Sequence, residues 1–418
     1  MPFSWLVMLL TFGLENRGVV ALSMFVAAFA DPAAALIGQR FASEKTTFTL
    51  TSDRKSLPGS IAFFLVSVVV IFLSPLFMKG GAIYLFQNGL PSEIKVTGAV
   101  PEHFAISVYL FLMAVAVSIV LTVFEAISSK GSDNLTVPIV GCLLFFVLLK
   151  RPGFDLLESL FFGILLGTIV AFLSYKFKFL TSDGAASAML LASFVFGFGH
   201  LKWSLPMLTF FILSSLLSKL RKKVNESVDN YFEKTGVRDY MQVISNGGVG
   251  AILVLLEVVY GGNIFYLFYA AVLAAVCADT WATEIGTLYR AKTYNILTLK
   301  PVDQGISGGV SFSGTMGALM GSLIVAASAA YWLNFAYFCA IVFAGFSGSL
   351  LDSILGASLQ VQFRCTVCNK QTERDFHCQK RTVRVKGLQW LNNDLVNLMA
   401  GFSGGILITL FQTFSGLK

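Results

Sequence analysis

A helix of about 18 apolar residues spans a lipid hydrocarbon core, and a chain that repeats such runs has little choice of fold. Here they fall near residues 18–36, 58–78, 105–128, 134–149, 155–174, 184–199, 203–218, 241–260, 262–278, 307–329, 331–358 and 392–413. Composition agrees. Of 418 residues 56% are hydrophobic, 40 are Phe and only 13% are charged, where a soluble domain carries about a quarter. The expected fold is an all-α polytopic membrane protein with about twelve transmembrane helices. The apolar stretch at 3–13 is too short to span. No Lys or Arg precedes it and no small-residue cleavage site follows, so no cleaved signal peptide is expected.

The formal net charge is +7, but position matters more than the sum. Loops after alternate helices carry Arg40, Arg54 and Lys55, then Lys130, then Lys176 and Lys178. Next come Lys219, Arg221, Lys222 and Lys223, then Arg290, Lys292 and Lys300, and finally Arg364 through Lys386. The intervening loops are nearly neutral, apart from Lys150–Arg151 and the mixed segment 79–104. The positive-inside rule puts the basic set in the cytoplasm, and the chain is expected in a bacterial cytoplasmic membrane. Nucleic acid is a poor partner for these loops, because their aromatics form no stacking surface.

Of six cysteines, Cys142, Cys277 and Cys339 lie in apolar runs, where a free thiol behaves as a small hydrophobe. Cys365, Cys368 and Cys378 share one loop, C-T-V-C-N-K-Q-T-E-R-D-F-H-C, together with His377. In a reducing cytoplasm a disulfide is not expected there. The spacing suits a small zinc knuckle, although adjacent His377 and Cys378 rarely serve one ion; a reduced surface loop is the alternative.

The chain also repeats itself. Ala30–Gly38 reads ADPAAALIG and Ala278–Gly286 reads ADTWATEIG. Each nine-residue segment leads into a basic, Gly/Ser-bearing loop: R-K-S-L-P-G-S (Arg54–Ser60) and L-K-P-V-D-Q-G-I-S-G-G-V-S-F-S-G-T (Leu299–Thr315). An acid late in a helix follows, Glu125 or Asp352, and then Asp/Asn opens another helix, at Asp133–Asn134 or Asn393–Asp394. Internal repetition is common in membrane bundles. The expected organisation is two related tandem modules, residues 1–175 and 176–418.

An ionised carboxylate in a membrane helix is expensive and marks a polar cavity. Asp31, Glu125, Asp279, Glu284, Asp352 and Asp394 all sit near helix ends on the expected cytoplasmic face. Carboxylates beside glycine-rich loops suit Mg²⁺-bound phosphates, since Mg²⁺ takes one or two carboxylates and glycines let amides approach anions. Phosphoryl transfer asks mainly for positioning and charge neutralisation. Any single Gly or Ser here can equally be a helix-packing residue, and a lone acid a structural hydrogen-bond partner. The chain has no G-x-x-x-x-G-K-[ST] and no H-R-D, so neither soluble kinase class applies.

Residues 1 to about 175, through A-D-P-A-A-A-L-I-G, R-K-S-L-P-G-S, F-E-A and S-D-N-L-T-V-P, resemble the C-terminal portion of the phytol kinase/dolichol kinase family. Ala30 stands where that family has Gly, and Pro58 where it has an acid. Helices expected upstream of the first motif are largely missing, so this module reads as N-terminally incomplete. Residues from about 176 onward resemble the phytyl-phosphate kinase family. The motifs are L-T-S-D-G-A, R-D-Y-M-Q-V-I-S-N-G-G, A-D-T-W-A-T-E-I-G, the Gly/Ser loop, G-S-L-L-D-S-I-L-G-A, the Cys loop and L-Q-W-L-N-N-D-L-V-N.

The resemblance implies phosphorylation of a prenyl monophosphate such as phytyl phosphate to the diphosphate, for tocopherol or quinone synthesis, and in the first module of phytol to phytyl phosphate. The donor would be a nucleoside triphosphate such as CTP, with Mg²⁺. On this reading Asp279, Glu284, Asp352 and Asp394 share metal binding and orientation, the three aspartates as ligands, with Asn393 and Asn397 assisting and Asn246 binding the nucleotide. Lys300 and Arg238 neutralise phosphates, and Gly305, Ser307, Gly308, Gly309 and Ser311 donate to them. Asp31, Lys55, Glu125, Asp133 and Asn134 play matching parts in the first module, where an alcohol needs a base. Phe-rich helix faces would hold the isoprenoid within membrane lipid. A CTP-dependent lipid cytidylyltransferase and a polytopic transporter are the alternatives, the latter because repeats and intramembrane acids also build transporters.

Overall fold

The computed structural model describes residues 2–76, 102–150, 153–225 and 237–416. Within them lie twelve α-helices. They are α1 (Pro2–Phe12), α2 (Arg17–Phe41), α3 (Leu57–Leu73), α4 (Glu102–Ile127), α5 (Asp133–Lys150) and α6 (Phe154–Lys176). After them come α7 (Ser182–Val224), α8 (Tyr240–Tyr260), α9 (Ile264–Gly286), α10 (Phe312–Ala329), α11 (Phe335–Ser358) and α12 (Asn393–Ser415). Eleven of these are long and apolar enough to cross a membrane. Arg151 and most of the mixed segment 79–104 lie outside the described residues.

The twelfth expected span is inside α7. That helix has 43 residues, about 65 Å of rise and twice a hydrocarbon core. It is broken at His200, where φ is 50° and ψ −153°. The two arms fold back on one another. Leu191 of the first and Met207 of the second both flank Gly247, and Lys219 near the end of the second donates to the Phe177 carbonyl, just before the first begins. The runs expected at 184–199 and 203–218 are thus an antiparallel hairpin.

The chain divides into two compact units, residues 1–169 with 192–198, and residues 170–191 with 199–418. In the first, α2 packs on α3 and α5, and α4 on α3 and α5. In the second, α9 is the central post, packed against α8, α10, α11 and α12. It can take neighbours all round because Ala270, Ala271, Ala274, Ala275 and Ala278 are small and fully buried. The facing stripe of α10 is glycine. A Cβ on Gly317 would lie 2.6 Å from the Trp281 carbonyl oxygen, and one on Gly321 2.7 Å from that of Cys277.

One crossing occurs twice. A Cβ on Gly38 would meet the Ser56 hydroxyl at 2.8 Å and the Gly59 Cα at 3.7 Å. In the second unit a Cβ on Gly286 would meet the Gly314 Cα at 3.1 Å and the Ser311 hydroxyl at 3.3 Å. In each case the serine caps the second helix, accepting from Gly59 N at 3.2 Å and Gly314 N at 3.1 Å. Both repeated segments therefore end on a glycine that lets a capped helix N-terminus pack close, about two turns after the aspartate.

Short strands are confined to loops. β1 (Thr47–Thr49) and β2 (Arg54–Ser56) form a hairpin. β3 (Thr293–Asn295) lies between β4 (Pro301–Val302) and β5 (Gly309–Val310). After α11, β6 (Gln362–Arg364) lies between β7 (Gln371–Thr372) and β10 (Val383–Lys386), while β8 (Phe376–His377) pairs with β9 (Lys380–Arg381).

Candidate functional site

In the second unit the helices deliver their polar residues to one end. The C-terminal halves of α9 and α11 carry Asp279 and Asp352, and the N-terminal turns of α8 and α12 carry Asn246, Asn393, Asp394 and Asn397. Between them is a cavity of about 210 Å³, which all of these residues line. Asp279 and Asp352 meet directly, and Glu373 from the loop after β7 lies within electrostatic reach of both. Oδ2 of Asp352 and Oδ1 of Asn246 and Asn397 are buried without a hydrogen-bond partner. Each such atom costs roughly 1–3 kcal/mol. An all-oxygen donor set with orphaned atoms suits a hard cation such as Mg²⁺.

Arg238 is held at the cavity by backbone pairing. Its N–H donates to the Phe179 carbonyl at 3.0 Å, and Thr181 N donates back to the Arg238 carbonyl at 3.1 Å. Gly184 must be glycine there, because a Cβ would press into that same carbonyl. Asp183 fastens the next turn by accepting from Tyr240 N at 3.2 Å. The L-T-S-D-G-A motif thus serves to place an arginine 53 residues beyond its last member. The guanidinium lies over the rings of Phe210 and Phe211, at 5.2 and 5.8 Å. Burial pulls its pKa below the ordinary value, while the Glu284 charge opposes that shift.

Other expected residues reach the cavity in different roles. Glu284, expected to assist the metal, spends both oxygens on protein: Oε1 accepts from Ser218 at 2.5 Å and Oε2 from Arg221 at 2.9 Å. Of the expected phosphate donors, the Gly309 amide is used on the Ile306 carbonyl at 2.9 Å. The Ser311 hydroxyl caps α10, and the Ser307 hydroxyl donates to Glu373. Gly305 and Gly308 line the cavity in left-handed backbone, φ 92° and 79°, and a Cβ on Gly308 would overlap Ala357. Lys300 is exposed and outside the cavity lining. It ends the β3–β4 turn, where its carbonyl accepts from Asn295 N at 2.9 Å.

Sequence reasoning missed Arg221, Gln304, Gln360 and Glu373. Arg221 stands in the basic run 219–223, whose composition signals only topology. Gln304 ties the loop to the end of α9, donating to the Gly286 and Tyr289 carbonyls at 2.6 and 2.7 Å. Gln360 donates to Glu373 at 3.0 Å. No spacing rule marks these residues; the tertiary fold brings them in.

The Cys loop is a folded ribbon. Cys365 N donates to the Lys370 carbonyl at 2.9 Å, Asn369 closes the turn at φ 59°, and Val367 N points at the Cys365 Sγ at 3.4 Å. The β8–β9 hairpin then brings His377 and Cys378 to the same place. One ligand atom from each of Cys365, Cys368, His377 and Cys378 falls within 4.8 Å of all the others. The Cys368 amide, aided by His377, pushes the Cys365 thiol down to about 6.

Residues 165–405 match the family described as integral membrane protein DUF92. The chain belongs to this family. It is 30% identical to Protein PGR of Arabidopsis thaliana over 281 residues, 61% of this chain and 94% of that protein. An uncharacterized membrane protein of Methanocaldococcus jannaschii, MJ0933, is 27% identical over 258 residues, 60% and 94% of the two chains. Protein VTE6, chloroplastic, also of Arabidopsis thaliana, is 26% identical over 244 residues, 56% and 66%. No solved structure matches. The DUF92 match makes this chain an integral membrane protein and contains the whole polar cavity and the Cys ribbon.

The first unit lies almost wholly outside the DUF92 match and holds a smaller cluster. Lys55 Nζ donates to Glu125 at 2.5 Å and to Asp133 at 3.4 Å. Asp31, Asp133 and Asn134 line a pocket of about 10 Å³. All five expected residues are thus gathered, but here a lysine fills the space between the acids. The residue before Ser311, the matching position in the second unit, is Val310.

Proposed function

We propose that the second unit transfers the terminal phosphoryl group of a nucleoside triphosphate, such as CTP, to a prenyl monophosphate at the membrane face. The acceptor phosphate oxygen forms the new P–O bond, the bond to the nucleotide's bridging oxygen breaks, and a prenyl diphosphate and a nucleoside diphosphate leave. The observation that carries this reading is the meeting of Asp279, Asp352, Asp394, Asn246 and Asn397 with half-buried Arg238 around one cavity at the end of a membrane bundle. The likeness of its motifs to the phytyl-phosphate kinase family supplies the substrate class. Protein VTE6 is a relative whose name places it in the chloroplast, a setting compatible with tocopherol synthesis.

Asp279, Asp352 and Asp394, with Asn397, would hold Mg²⁺, which when bound neutralises the nucleotide phosphates. Arg238 offers a positive charge fixed beside the carboxylates, where it would neutralise phosphate oxygens. The acceptor is already ionised near neutral pH, so no side chain has to act as a strong base. Apolar side chains exposed on α10 and α12, such as Met316, Met320, Met399 and Phe402, would hold an isoprenoid tail in the surrounding lipid. In the first unit Asp31, Lys55, Glu125, Asp133 and Asn134 supply the matching set for an alcohol acceptor, phytol.

The test incubates purified full-length protein with phytyl phosphate or phytol, Mg²⁺ and each nucleotide in turn, followed by mass analysis. Gain of one phosphate on phytyl phosphate is expected. Gain of a whole nucleotide would make the protein a cytidylyltransferase, and no product with any nucleotide would overturn the enzyme reading.

A further inference from the structure

We infer that Cys365, Cys368, His377 and Cys378 bind one structural zinc ion, and that this ion holds the strand which presents Glu373 to the Asp279–Asp352 pair. The geometry is close to that of a filled site. Tetrahedral zinc with bonds of about 2.0–2.3 Å sets its N and S ligands roughly 3.5–3.8 Å apart. Cys368 Sγ lies 3.6 Å and Cys378 Sγ 3.2 Å from Nδ1 of His377. The objection that adjacent residues rarely serve one ion is met by the backbone. Cys378 and Gln379 are left-handed, at φ 50° and 61°, and form the two-residue tip of the β8–β9 hairpin. That tip turns the Cys378 side chain to the His377 side. The other pair sits on the knuckle Cys365–Asn369 described above. Thiolate and imidazole in a closed four-ligand set select zinc over the hard cation suited to the cavity.

The ribbon is otherwise poorly held. Its strands are two to four residues long, and Phe376, Val383 and Val385 are exposed, so it has almost no core of its own. A segment this small needs a metal or disulfide to fold, and its cysteines are free. What the ribbon delivers is specific. β7 runs antiparallel to β6, with Phe363 opposite Thr372, and the next residue is Glu373. Its Oε1 accepts from Ser307 of the glycine-rich loop and from Gln360 at 3.0 Å. One side chain thereby joins the ribbon, the loop and the carboxylate pair. The zinc assignment stands apart from the kinase reading; only the consequence for activity rests on it.

The experiment measures metal in the full chain purified in detergent without chelator. About one zinc per chain is expected by elemental analysis. Cobalt grown in its place should give thiolate-to-metal charge-transfer absorption and tetrahedral ligand-field bands. The C365S/C368S double variant should hold less than about a tenth of the zinc, whereas Glu373→Gln should hold all of it. Because the double variant can fail to fold, a second measurement uses the parent chain. Stripping zinc should speed trypsin cleavage at Arg374, Lys380 or Arg381 several-fold and open Cys368 and Cys378 to alkylation, and zinc should reverse both. Parent protein without zinc, iron in its place, or unchanged cleavage after stripping overturns the proposal. Intact zinc binding with no phosphoryl transfer would leave this inference standing and remove the kinase reading.

Discussion

Asp279 and Asp352 bring two buried acidic side chains into contact within the helix bundle, an arrangement that costs desolvation and like-charge repulsion and does little for the fold. Replacing one should therefore cost function and not folding. Asp352→Asn is expected to lower the transfer rate by about 100-fold or more while its melting temperature stays level or rises; an active variant would remove Asp352 from the chemistry. Glu284 behaves in the opposite way. It and Arg221 form a buried pair, with side chains 11% and 3% exposed. Arg221→Met should destabilise the fold by about 3–5 kcal/mol, and adding Glu284→Met should restore most of the loss. Thermal unfolding in detergent reads both, and two additive losses would contradict a direct pair. Lys55 adds a pH statement. Burial pulls its ammonium down, but the hydrogen bond and charges of Glu125 and Asp133 outweigh that, so its pKa stands above the usual 10.5. The stability it contributes is complete below about pH 10 and is lost only as pH rises through the folded value. Lys55→Met should accordingly cost the same at any pH between about 6 and 9; a loss that varies across that range would mean another group is titrating.

The helices obey two rules of close approach. Where α9 meets α10, glycine is required because carbonyl oxygens occupy the space a Cβ would need. Gly317→Val should cost at least about 1–3 kcal/mol, visible as a lower melting temperature, and an unchanged melt would show that the helices can part without penalty. The hairpin of α7 shows the reverse. His200 sits in a region of backbone space that suits glycine and strains any side chain. His200→Gly is expected to raise stability by about 1 kcal/mol, and a drop would mean that the imidazole makes a contact worth more than the strain. The sequence marked both arms as separate apolar runs, since hydropathy is local. The gap between the runs, 200–202, holds the turn, but hydropathy does not show that the arms fold back on one another or that His200 takes the strained backbone. The repeat was legible as an order of residue types. That Gly38–Ser56–Gly59 and Gly286–Ser311–Gly314 are the same helix crossing became visible only from the packing.

At the scale of the molecule, the second unit is polarised. Its cavity carboxylates, its β-rich loops and the basic residues 219–223 and 364–386 share one end, while Gly261–Asn263 and Tyr331–Leu333 turn at the other. Single cysteines introduced at Lys222 and at Asn263 should react with an impermeant thiol reagent from opposite sides of sealed vesicles, compared with the parent chain. Labelling of both from one side would undo the topology. The sequence by itself determined that this chain is helical and lives in a membrane, because lipid forces every spanning backbone to satisfy its hydrogen bonds internally. It also named most of the polar residues that meet in the cavity, since a carboxylate within an apolar run has few other reasons to exist. Tertiary structure alone decided what each of them touches. Glu284 turned out to be paired with Arg221, Lys300 to stand outside, Ser311 to cap a helix, and Glu373 to enter from a loop 21 residues beyond Asp352. Hydropathy and spacing are properties of neighbours along the chain, whereas charge compensation and ligand geometry are set by distances through space.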